Sequence, residues 1–477
     1  MKPTDRASEA DTAGPHDAPA VGTPALARRA DAVVAERLRA AAAREPLPGR
    51  PEGSSAVELA ASLAAGSVHK DRFTAEIAAA VRGTALALAA ARPHPTDLWA
   101  AASAFHADPS VWFEQAVLLG HPTHPLARSR GELTDDEIRA YAPEHAARFD
   151  LGLYRIAGLD EPPVWLSVCG RSEELPVHPW QAARHGLGSP PPTRVFPDAA
   201  PLMSLRTVST GDFHIKTAVD LQLTSAVRHV SEAAVRNGAI VAQRLGEPAA
   251  ACGITLLGER AAIARGPDGA PLPHLAAVIR RAPHRVGHPR AVPLAALAET
   301  CPSDGRPVAV AFTGNDPEAW WAAFCAVAVA PLRLFAATGV ALEAHGQNTL
   351  ASFTGDLPTG LVYRDFGGIR VPAADWPEVV GDLPEADPEA RLVKLLAALF
   401  PTTLTAIVDV LAAWSDTDPG QWWAVVADAV RGLGLDPWIE RAVLRDPWPV
   451  KATTAMRLAD RPTDDIWVRV ENPLAAA

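Results

Sequence analysis

The spacing of apolar residues predicts helices at the two ends of the chain and strands in its middle. Residues 25–104 carry Ala and Leu at three- and four-residue intervals, which is typical of amphipathic helices. An apolar helix is also predicted over 320–337, and the helical pattern returns from residue 388. The middle of the chain contains one predicted helix, at 224–245, and β-type runs at 193–196, 214–223, 253–257 and 276–281.

Two polar segments interrupt apolar stretches in the last third of the chain. They are Glu343–Asn348 and Tyr363–Gly368, and each contains several ionisable or amide side chains. Because burying an unpaired polar group costs free energy, such segments indicate either a functional site or a buried network that fixes strand register. For either segment alone the register network is the simpler interpretation.

The two segments together favour a site. The first alternates apolar and polar residues, which predicts a strand with Glu343, His345 and Gln347 on one face. The second also predicts a strand, and antiparallel pairing would bring Asp365 close to His345 and Asn348. Carboxylate and amide oxygens beside a histidine suit a nucleotide bound with magnesium.

Length and charge limit the possible partners. A chain of 477 residues predicts two or three domains. The chain has 44 Lys and Arg against 55 Asp and Glu, which gives a net charge of −11. Nucleic acids and anionic membranes both require a basic face on their protein partners, so we expect neither as a partner.

Cysteine usage and the N-terminal composition favour a cytoplasmic location. The four cysteines lie far apart and form no C-x-x-C pair, which predicts neither a zinc site nor a disulfide framework. Pro331 and Arg333 interrupt the longest apolar run, so no membrane-spanning helix is expected. Residues 1–24 lack an apolar core, which predicts a disordered leader rather than a signal peptide.

A third polar cluster is the His-Pro loop at residues 120–125, with the sequence GHPTHP. It contains His121 and His124, and Arg128 and Arg130 follow it. The prolines disfavour a regular helix, and no further ligand has metal-site spacing, so we do not expect a metal here. Arginines and histidines in a stiff loop suit a multiply charged carboxylate, and an exposed basic turn is the alternative.

A fourth cluster combines hydroxyl and basic side chains. Ser204 and Arg206 are predicted to share a strand face, and Lys216 lies on the next β-type run. Arg228 is placed one turn into the helix predicted from Thr224. Such groups near a helix N-terminus suit a triphosphate, although neither a G-x-x-x-x-G-K-[ST] nor a G-x-G-x-x-G motif occurs. Taken singly, each cation is more simply a solvated surface charge.

Together the motifs resemble those of the NRPS-independent siderophore synthetases, the IucA/IucC family. In chain order they are GHPTHP with a following R-x-R-G, LPVHPWQ, SLRT, HIKTAVDLQLTSAVRHVS, EAHGQN, YRDFGG and a late Lys451…Met456-Arg457…Asn472-Pro473-Leu474. The resemblance covers about residues 105–475. GHPxHP with EAHGQN and RDFGG is a specific combination.

The resemblance implies both a reaction and a fold. Members of the family use ATP to adenylate a carboxylate of citrate or a related acid. An amine or hydroxyl then displaces AMP, which gives an amide or ester. The implied fold is α+β, a cupped-hand arrangement of a helical thumb (25–188), β-rich fingers (189–315) and a mixed palm (316–477), in a homodimer. The implied partners are small-molecule carboxylate and amine substrates.

The resemblance also implies roles for individual residues. Arg228 and His345 would be catalytic and bridge ATP and the acid. ATP would be bound by Ser204, Arg206, Thr207, Lys216, Gln347 and Asn348; the acid would also contact His121, His124, Arg128 and Arg130; and Mg²⁺ would be held by Glu343 and Asp365. The family usually has lysine where Arg128 stands, which changes the donor geometry and makes the identity of the acid less secure than the reaction type.

Two other classes of protein share some of these features. Asp365-Phe366-Gly367 matches the magnesium triplet of kinases, and Asn348 precedes Asp365 by 17 residues, as a catalytic-loop Asn would. The aspartate of H-R-D and the Gly-rich loop are both absent from the sequence. A non-catalytic siderophore-binding protein is the third possibility, and it would need no nucleotide site.

Overall fold

The computed structural model describes residues 23–156, 158–160, 173–223, 226–460 and 465–476. The predicted leader at 1–24 lies outside these ranges except for its last two residues. Thr23 caps the first helix, because its side chain accepts a hydrogen bond from the Leu26 amide, and Pro24 is the first helical residue.

Helices dominate both ends of the chain. They are α1 (Pro24–Arg44), α2 (Ala56–Leu63), α3 (Lys70–Ala89), α4 (Leu98–Phe105), α5 (Ser110–Ala116), α6 (Asp135–Tyr141), α7 (Pro179–Arg184), α8 (Glu232–Ala251), α9 (Leu294–Leu297), α10 (Pro317–Ala328), α11 (Ala330–Thr338), α12 (Pro388–Ala398), α13 (Thr405–Ser415), α14 (Pro419–Arg431), α15 (Pro437–Leu444) and α16 (Thr453–Leu458). The predicted helical start of the chain is confirmed, with α1, α2 and α3 packed around a core that includes Val34, Leu59 and Phe73.

The strands form two main sheets. They are β1 (Phe149–Arg155), β2 (Leu159–Asp160), β3 (Glu174–Val177), β4 (Arg194–Pro201), β5 (Thr207–Ser209), β6 (Phe213–Thr217), β7 (Val219–Leu223), β8 (Ala226–Arg228), β9 (Ile254–Leu256), β10 (Arg260–Arg265), β11 (Pro271–Arg281), β12 (Ala291–Pro293), β13 (Thr349–Thr354), β14 (Leu357–Tyr363), β15 (Val371–Pro372), β16 (Pro384–Glu385), β17 (Trp448–Lys451) and β18 (Trp467–Val470). About 45% of the structure is helical and 20% is strand, so the fold mixes both element types, and its large sheet is antiparallel.

The larger sheet has eight strands in the order β2-β10-β11-β6-β5-β4-β1-β3. Because β1 pairs with both β3 and β4, the strand-rich part of the protein begins at Phe149 rather than at residue 189. The smaller sheet, β12-β13-β14-β9, also takes strands from either side of the predicted boundary at residue 316. Chain order therefore does not separate the two sheets.

The helix predicted over 224–245 begins later than expected. Residues 226–228 form β8, which pairs with β7 in a hairpin, and α8 begins at Glu232. The Ser231 side chain accepts a hydrogen bond from the Ala234 amide, which fixes the start of α8. Arg228 therefore lies on a strand and not in the first turn of a helix. Thr224 lies outside the described residues.

The segment from Val340 to Asn348 is not the predicted sheet strand: it is irregular apart from one bridge at Ala341, and its last three residues form a turn. It leads into β13, which pairs with β14 in the predicted antiparallel hairpin. The Ala295 amide donates to the carbonyl of Gly346, and a Cβ on Gly346 would lie 2.6 Å from the Ala295 nitrogen. The segment therefore packs against α9 and does not join a ladder. Glu343, His345 and Gln347 are half-buried on one side of it, as predicted.

The apolar helix predicted over 320–337 is two helices, because α10 ends at Ala328 and Pro331 begins a new turn in α11. By length and composition, residues 317–338 and 388–415 would qualify as membrane spans, contrary to expectation. However, 56% and 67% of their most apolar windows are buried inside the protein. Trp320, Phe324 and Phe400 belong to the largest hydrophobic core, so these helices pack as core helices of the fold.

Candidate active site

A half-buried ion pair joins the two sheets. Lys216 on β6 donates from Nζ to both carboxylate oxygens of Asp365, at 2.8 and 2.6 Å. Asp365 directly follows Arg364 at the end of β14 and has a φ of +71°, which is uncommon for a residue other than glycine. Its amide donates to Glu259 Oε1 at 3.2 Å. The strained backbone is thus held by contacts from the large sheet, as is frequent at functional sites.

Cations around Asp365 keep it ionised. Burial alone would raise the pKa of Asp365, but Lys216, Arg280 and Arg206 together outweigh it and lower the pKa. Burial raises the pKa of the neighbouring Glu259, although the Arg280 guanidinium donates to Glu259 Oε1 at 2.8 Å. Glu259 and Arg280 belong to this group of charges, and the sequence motifs did not reveal either of them.

Arg206 connects this group to the β7–β8 hairpin. Its Nη1 donates to the carbonyls of Arg228 and His229, at 2.6 and 2.8 Å. Its Nε is buried without a hydrogen-bond partner among the described residues. Ser204 and Arg206 lie in the turn between β4 and β5, so the prediction of a shared strand face was wrong. Thr207 begins β5 and pairs in register with Lys216, which places the predicted phosphate-binding residues side by side.

His345 lies two residues after Glu343, one of the predicted magnesium ligands. Its Nδ1 accepts a hydrogen bond from the Gln347 amide at 3.2 Å, and its Nε2 is 3.9 Å from Glu343 Oε2. Burial lowers the pKa of His345 more than the charges of Glu343 and Asp365 raise it. The imidazole is therefore mainly neutral near pH 7. With Nδ1 as the acceptor, Nε2 carries the proton and faces Glu343.

The glycines of the RDFGG motif make room for Glu343. A Cβ on Gly368 would lie 1.9 Å from Glu343 Oε2, so this carboxylate packs directly against the turn after Asp365. Within the described ranges, no three His, Cys, Asp or Glu side chains converge as a metal site would require. A magnesium ion at Asp365 and Glu343 would therefore take its other ligands from phosphate oxygens, as magnesium usually does in nucleotide sites.

Gln347 and Asn348 are anchored through their backbones. Arg364 donates from Nε and Nη2 to the carbonyl of Gln347, at 3.2 and 2.8 Å, and its Nη2 lies 2.5 Å from Glu114 Oε1. The side-chain amide of Asn348 is buried, and no hydrogen bond to it is present in the part of the chain described. The backbone contacts leave both amide side chains available to a ligand.

The His-Pro loop contains a donor surrounded by cations. His124 Nδ1 accepts from the Leu126 amide at 3.0 Å, while its Nε2 is buried and has no partner among the described residues. Burial, followed by the charges of Arg37, Arg228 and Arg457, lowers the pKa of His124 to about 3. A neutral imidazole N–H with three arginines nearby is suited to bind an anion.

His121 lies at the solvent-exposed edge of the same loop. Desolvation by neighbouring protein groups lowers its pKa, and so do the charges of His124 and His345. The charge of His345 thus acts on His121, which indicates that the His-Pro loop lies near the EAHGQN segment.

Arg37 and Arg457, whose charges act on His124, were assigned no role from the sequence. Arg37 donates to the carbonyls of Leu119 and His124, and Arg457 contacts Glu76. Only the late Met456-Arg457 motif pointed to one of them.

Arg128 and Arg130 have structural partners instead of a free approach to the cleft. Both guanidinium groups are buried and contact Glu144. Arg128 also donates to the carbonyl of Leu118 at 2.5 Å and to that of Val117. These bonds hold the His-Pro loop against its support, so the geometry does not favour the predicted contact of either arginine with the acid.

Glu299 accepts from the backbone just before the His-Pro loop, and its raised pKa predicts that the stability of the protein depends on pH. Burial raises its pKa to about 7, although the amides of Leu118 and Leu119 donate to it. The stability that the protonated form contributes is complete below the unfolded pKa of 4.5 and is lost as pH rises towards about 7. The wild type should lose this contribution between about pH 5 and pH 8, whereas Glu299→Gln should not. The free energy of unfolding of Glu299→Gln relative to the wild type should therefore rise by about 1–3 kcal/mol from about pH 5 to about pH 8. Urea denaturation at both pH values measures this rise, and an equal difference at both would contradict it.

The family comparisons divide the chain into two matched regions. The model of the IucA/IucC family matches residues 110–158 and 172–299. A second family model, described as ferric iron reductase FhuF-like transporter, matches residues 318–466. That second stretch contains a single cysteine, Cys325, which is buried in the core.

Two of the curated relatives are siderophore synthases. Staphyloferrin A synthase of Staphylococcus aureus is 25% identical over 77% of this chain and 73% of its own length. Aerobactin synthase of Escherichia coli is 27% identical over 56% of this chain and 57% of its own length. The chain is therefore similar to the IucA/IucC family over the segments that its model matches. The members of this siderophore synthetase family are ligases.

Solved structures of IucA/IucC-type proteins share the fold. ATP-bound aerobactin synthetase IucA from Klebsiella pneumoniae matches with a TM-score of 0.71 at 20% identity, over 88% of this chain and 87% of that one. Petrobactin biosynthesis protein AsbB from Bacillus anthracis matches with a TM-score of 0.68 at 17% identity, over 85% and 79% of the two chains. At these identities the likeness establishes the fold alone.

Proposed function

We propose that this protein is an ATP-dependent carboxylate–amine ligase of the IucA/IucC family. It would adenylate a carboxylate of citrate or a related polycarboxylic acid and transfer the acyl group to an amine or a hydroxyl, with release of AMP and pyrophosphate. The position of Arg228 is the observation that carries this proposal. After burial, the charge of Arg228 contributes to the lowered pKa of both Arg206 and His124, while Asp365 and Glu343 act on Arg228.

Arg228 is thus near two cationic regions, because its carbonyl accepts from Arg206 at 2.6 Å and its charge acts on His124. On one side, Lys216, Arg206 and Arg280 surround Asp365 at the junction of the sheets, where a triphosphate would find charged donors. On the other side, the Nε2 of His124, which is unpartnered in the described part of the chain and has the charges of Arg37 and Arg457 acting on it, is suited to a carboxylate. Adenylation requires a carboxylate oxygen in line with the α-phosphorus. A cation close to both regions can therefore stabilise the charge where the two substrates react.

The first half-reaction follows from this arrangement. A carboxylate oxygen held near His124 attacks the α-phosphorus, the acyl–phosphate bond forms, and the bond to pyrophosphate breaks. Arg228 would stabilise the charge that develops between the two regions. Asp365 and Glu343 would hold Mg²⁺ together with phosphate oxygens, and the bound ion would neutralise phosphate charge.

In the second half-reaction the amine or hydroxyl attacks the acyl carbon, and AMP leaves. Attack creates a tetrahedral oxyanion, for which Arg228 is the proposed donor. Because burial favours the neutral form of His345, we assign this histidine the role of accepting the proton from the nucleophile at Nδ1, which gives up its hydrogen bond from the Gln347 amide. The cupped-hand arrangement, the homodimer and the cytoplasmic location implied by the resemblance are part of the same proposal.

The products of ATP test the reaction type. With ATP, Mg²⁺, citrate and a panel of amines, the purified protein should release pyrophosphate and AMP in equal amounts. Release of ADP and phosphate would move it to the kinase-like class. Failure to bind ATP in equilibrium dialysis would favour the siderophore-binding class.

A further inference from the structure

A second group of cations lies on the hairpin formed by β17 and β18. Lys451 ends β17 and pairs in register with Trp467, the first residue of β18. Lys394 on α12 reaches the same place. The two ammonium groups lie 5.4 and 5.6 Å from the centroid of the Trp467 ring, and both contact Asp465.

The charges in this group are not balanced. Asp465 provides one oxygen to Lys451 at 3.0 Å and the other to Lys394, so one carboxylate serves two ammonium groups. The charge of Arg370 also acts on Lys394, whose pKa burial lowers. Each ammonium has three donors, and within the described ranges Asp465 is the acceptor for both. Donors and positive charge therefore remain for an anion, and the side chain of Lys394 is only 13% exposed.

The group borders the candidate active site. The charge of Lys451 contributes to the lowered pKa of His345. Arg370 and Ala341 exchange backbone hydrogen bonds, both at 2.9 Å, just ahead of Glu343. Lys451 is therefore near the histidine to which the proposed function assigns the proton of the nucleophile, and Lys394 joins Lys451 through Asp465.

We propose that Lys394 and Lys451 bind a substrate carboxylate beside the ring of Trp467. This inference rests on the proposed function. In that function the phosphates and the reacting acid already have receptors, at Lys216 and at His124. The position beside His345 therefore favours the carboxylate of the incoming nucleophile as the occupant. The nucleophile would be an amino acid, with a carboxylate besides its reacting amine or hydroxyl.

Matched pairs of nucleophiles test this inference. L-lysine and cadaverine, L-ornithine and putrescine, and L-serine and ethanolamine differ only in the carboxylate. With citrate as the acid, kcat/KM for pyrophosphate release should be at least about tenfold higher for the amino acid of the productive pair, the effect expected for one charge-assisted contact. Lys394→Gln should reduce that preference about tenfold or more. Lys70→Gln, at the exposed start of α3, is the control and should keep it.

The outcomes separate the source of the carboxylate from failure of the inference. If Lys394→Gln instead raises the KM for citrate and leaves the preference between nucleophiles intact, the bound carboxylate belongs to the acid. If the variant changes neither quantity while its melting temperature falls, the lysines only brace the β17–β18 hairpin, and the inference is overturned. Absence of pyrophosphate release in the wild type with every pair would contradict the proposed function itself.

Discussion

Replacing Arg228 by alanine should lower turnover by on the order of 10²–10³-fold, as deletion of a single preorganised donor does at oxyanion sites. The guanidinium acts on residues of both proposed binding regions, so its loss should impair adenylation and acyl transfer alike. Pyrophosphate–ATP exchange in the presence of citrate measures the first step alone. Amide formation measures both. We expect both activities to fall by similar factors.

Arg236→Ala is the matched control, because Arg236 is exposed on α8, a few residues after β8. It should retain near wild-type activity. Arg228→Lys keeps the charge and loses the planar fork of donors, so it should fall between the wild type and the alanine variant. A loss below tenfold in Arg228→Ala would place this residue outside the site and remove the link between the two binding regions.

Helices and strands were predictable where the local sequence alone determines the structure. The helices at both ends and the β13–β14 hairpin follow from local periodicity and turn residues. The segment before β13 kept its predicted alternation of exposure but not its predicted strand. The Ala295 amide donates to the backbone carbonyl of Gly346 in this segment. The periodicity of the sequence does not predict such a contact. The start of α8 was missed for a similar reason, since the cap at Ser231 was not distinguished from the earlier Thr224.

The candidate site was predictable in its motifs but not in its pairings. Lys216 and Asp365 are 149 residues apart in the chain, and each was assigned to a different ligand. Their ion pair shows that the predicted phosphate-binding lysine and the predicted magnesium ligand are in direct contact. Glu114 and Glu259 lie in no recognised motif, yet they position Arg364 and the amide of Asp365.

Arginine assignments were the least secure because the side chain suits several partners equally well. A guanidinium that binds carbonyl groups and Glu144, as Arg128 does, has the same sequence signature as one that binds a substrate carboxylate. Burial and hydrogen-bond partners separate these cases. Arg37 shows the converse: it belongs to a helix with no polar motif, and its charge still acts on His124.

Replacing Asp365 by asparagine should reduce turnover by on the order of 10²-fold or more while the protein keeps its affinity for magnesium-free ATP. The substitution removes a proposed magnesium ligand and the negative charge that faces Lys216, Arg280 and Arg206. Those cations would then attract phosphate at least as strongly as before. Because removal of one partner from a buried ion pair is destabilising, we also expect a lower melting temperature that ATP partly restores.

Asparagine is the informative replacement because, like aspartate, it is among the residues that tolerate positive φ. Loss of function would therefore report on charge rather than on backbone strain. Asp375→Asn, in an exposed turn, is the matched control and should leave both turnover and melting temperature unchanged. If Asp365→Asn melts far below the wild type while its folded fraction turns over normally, Asp365 serves only to join the two sheets. Retained turnover with weakened ATP binding would likewise contradict the assignment, because loss of this carboxylate should spare binding and stop the reaction.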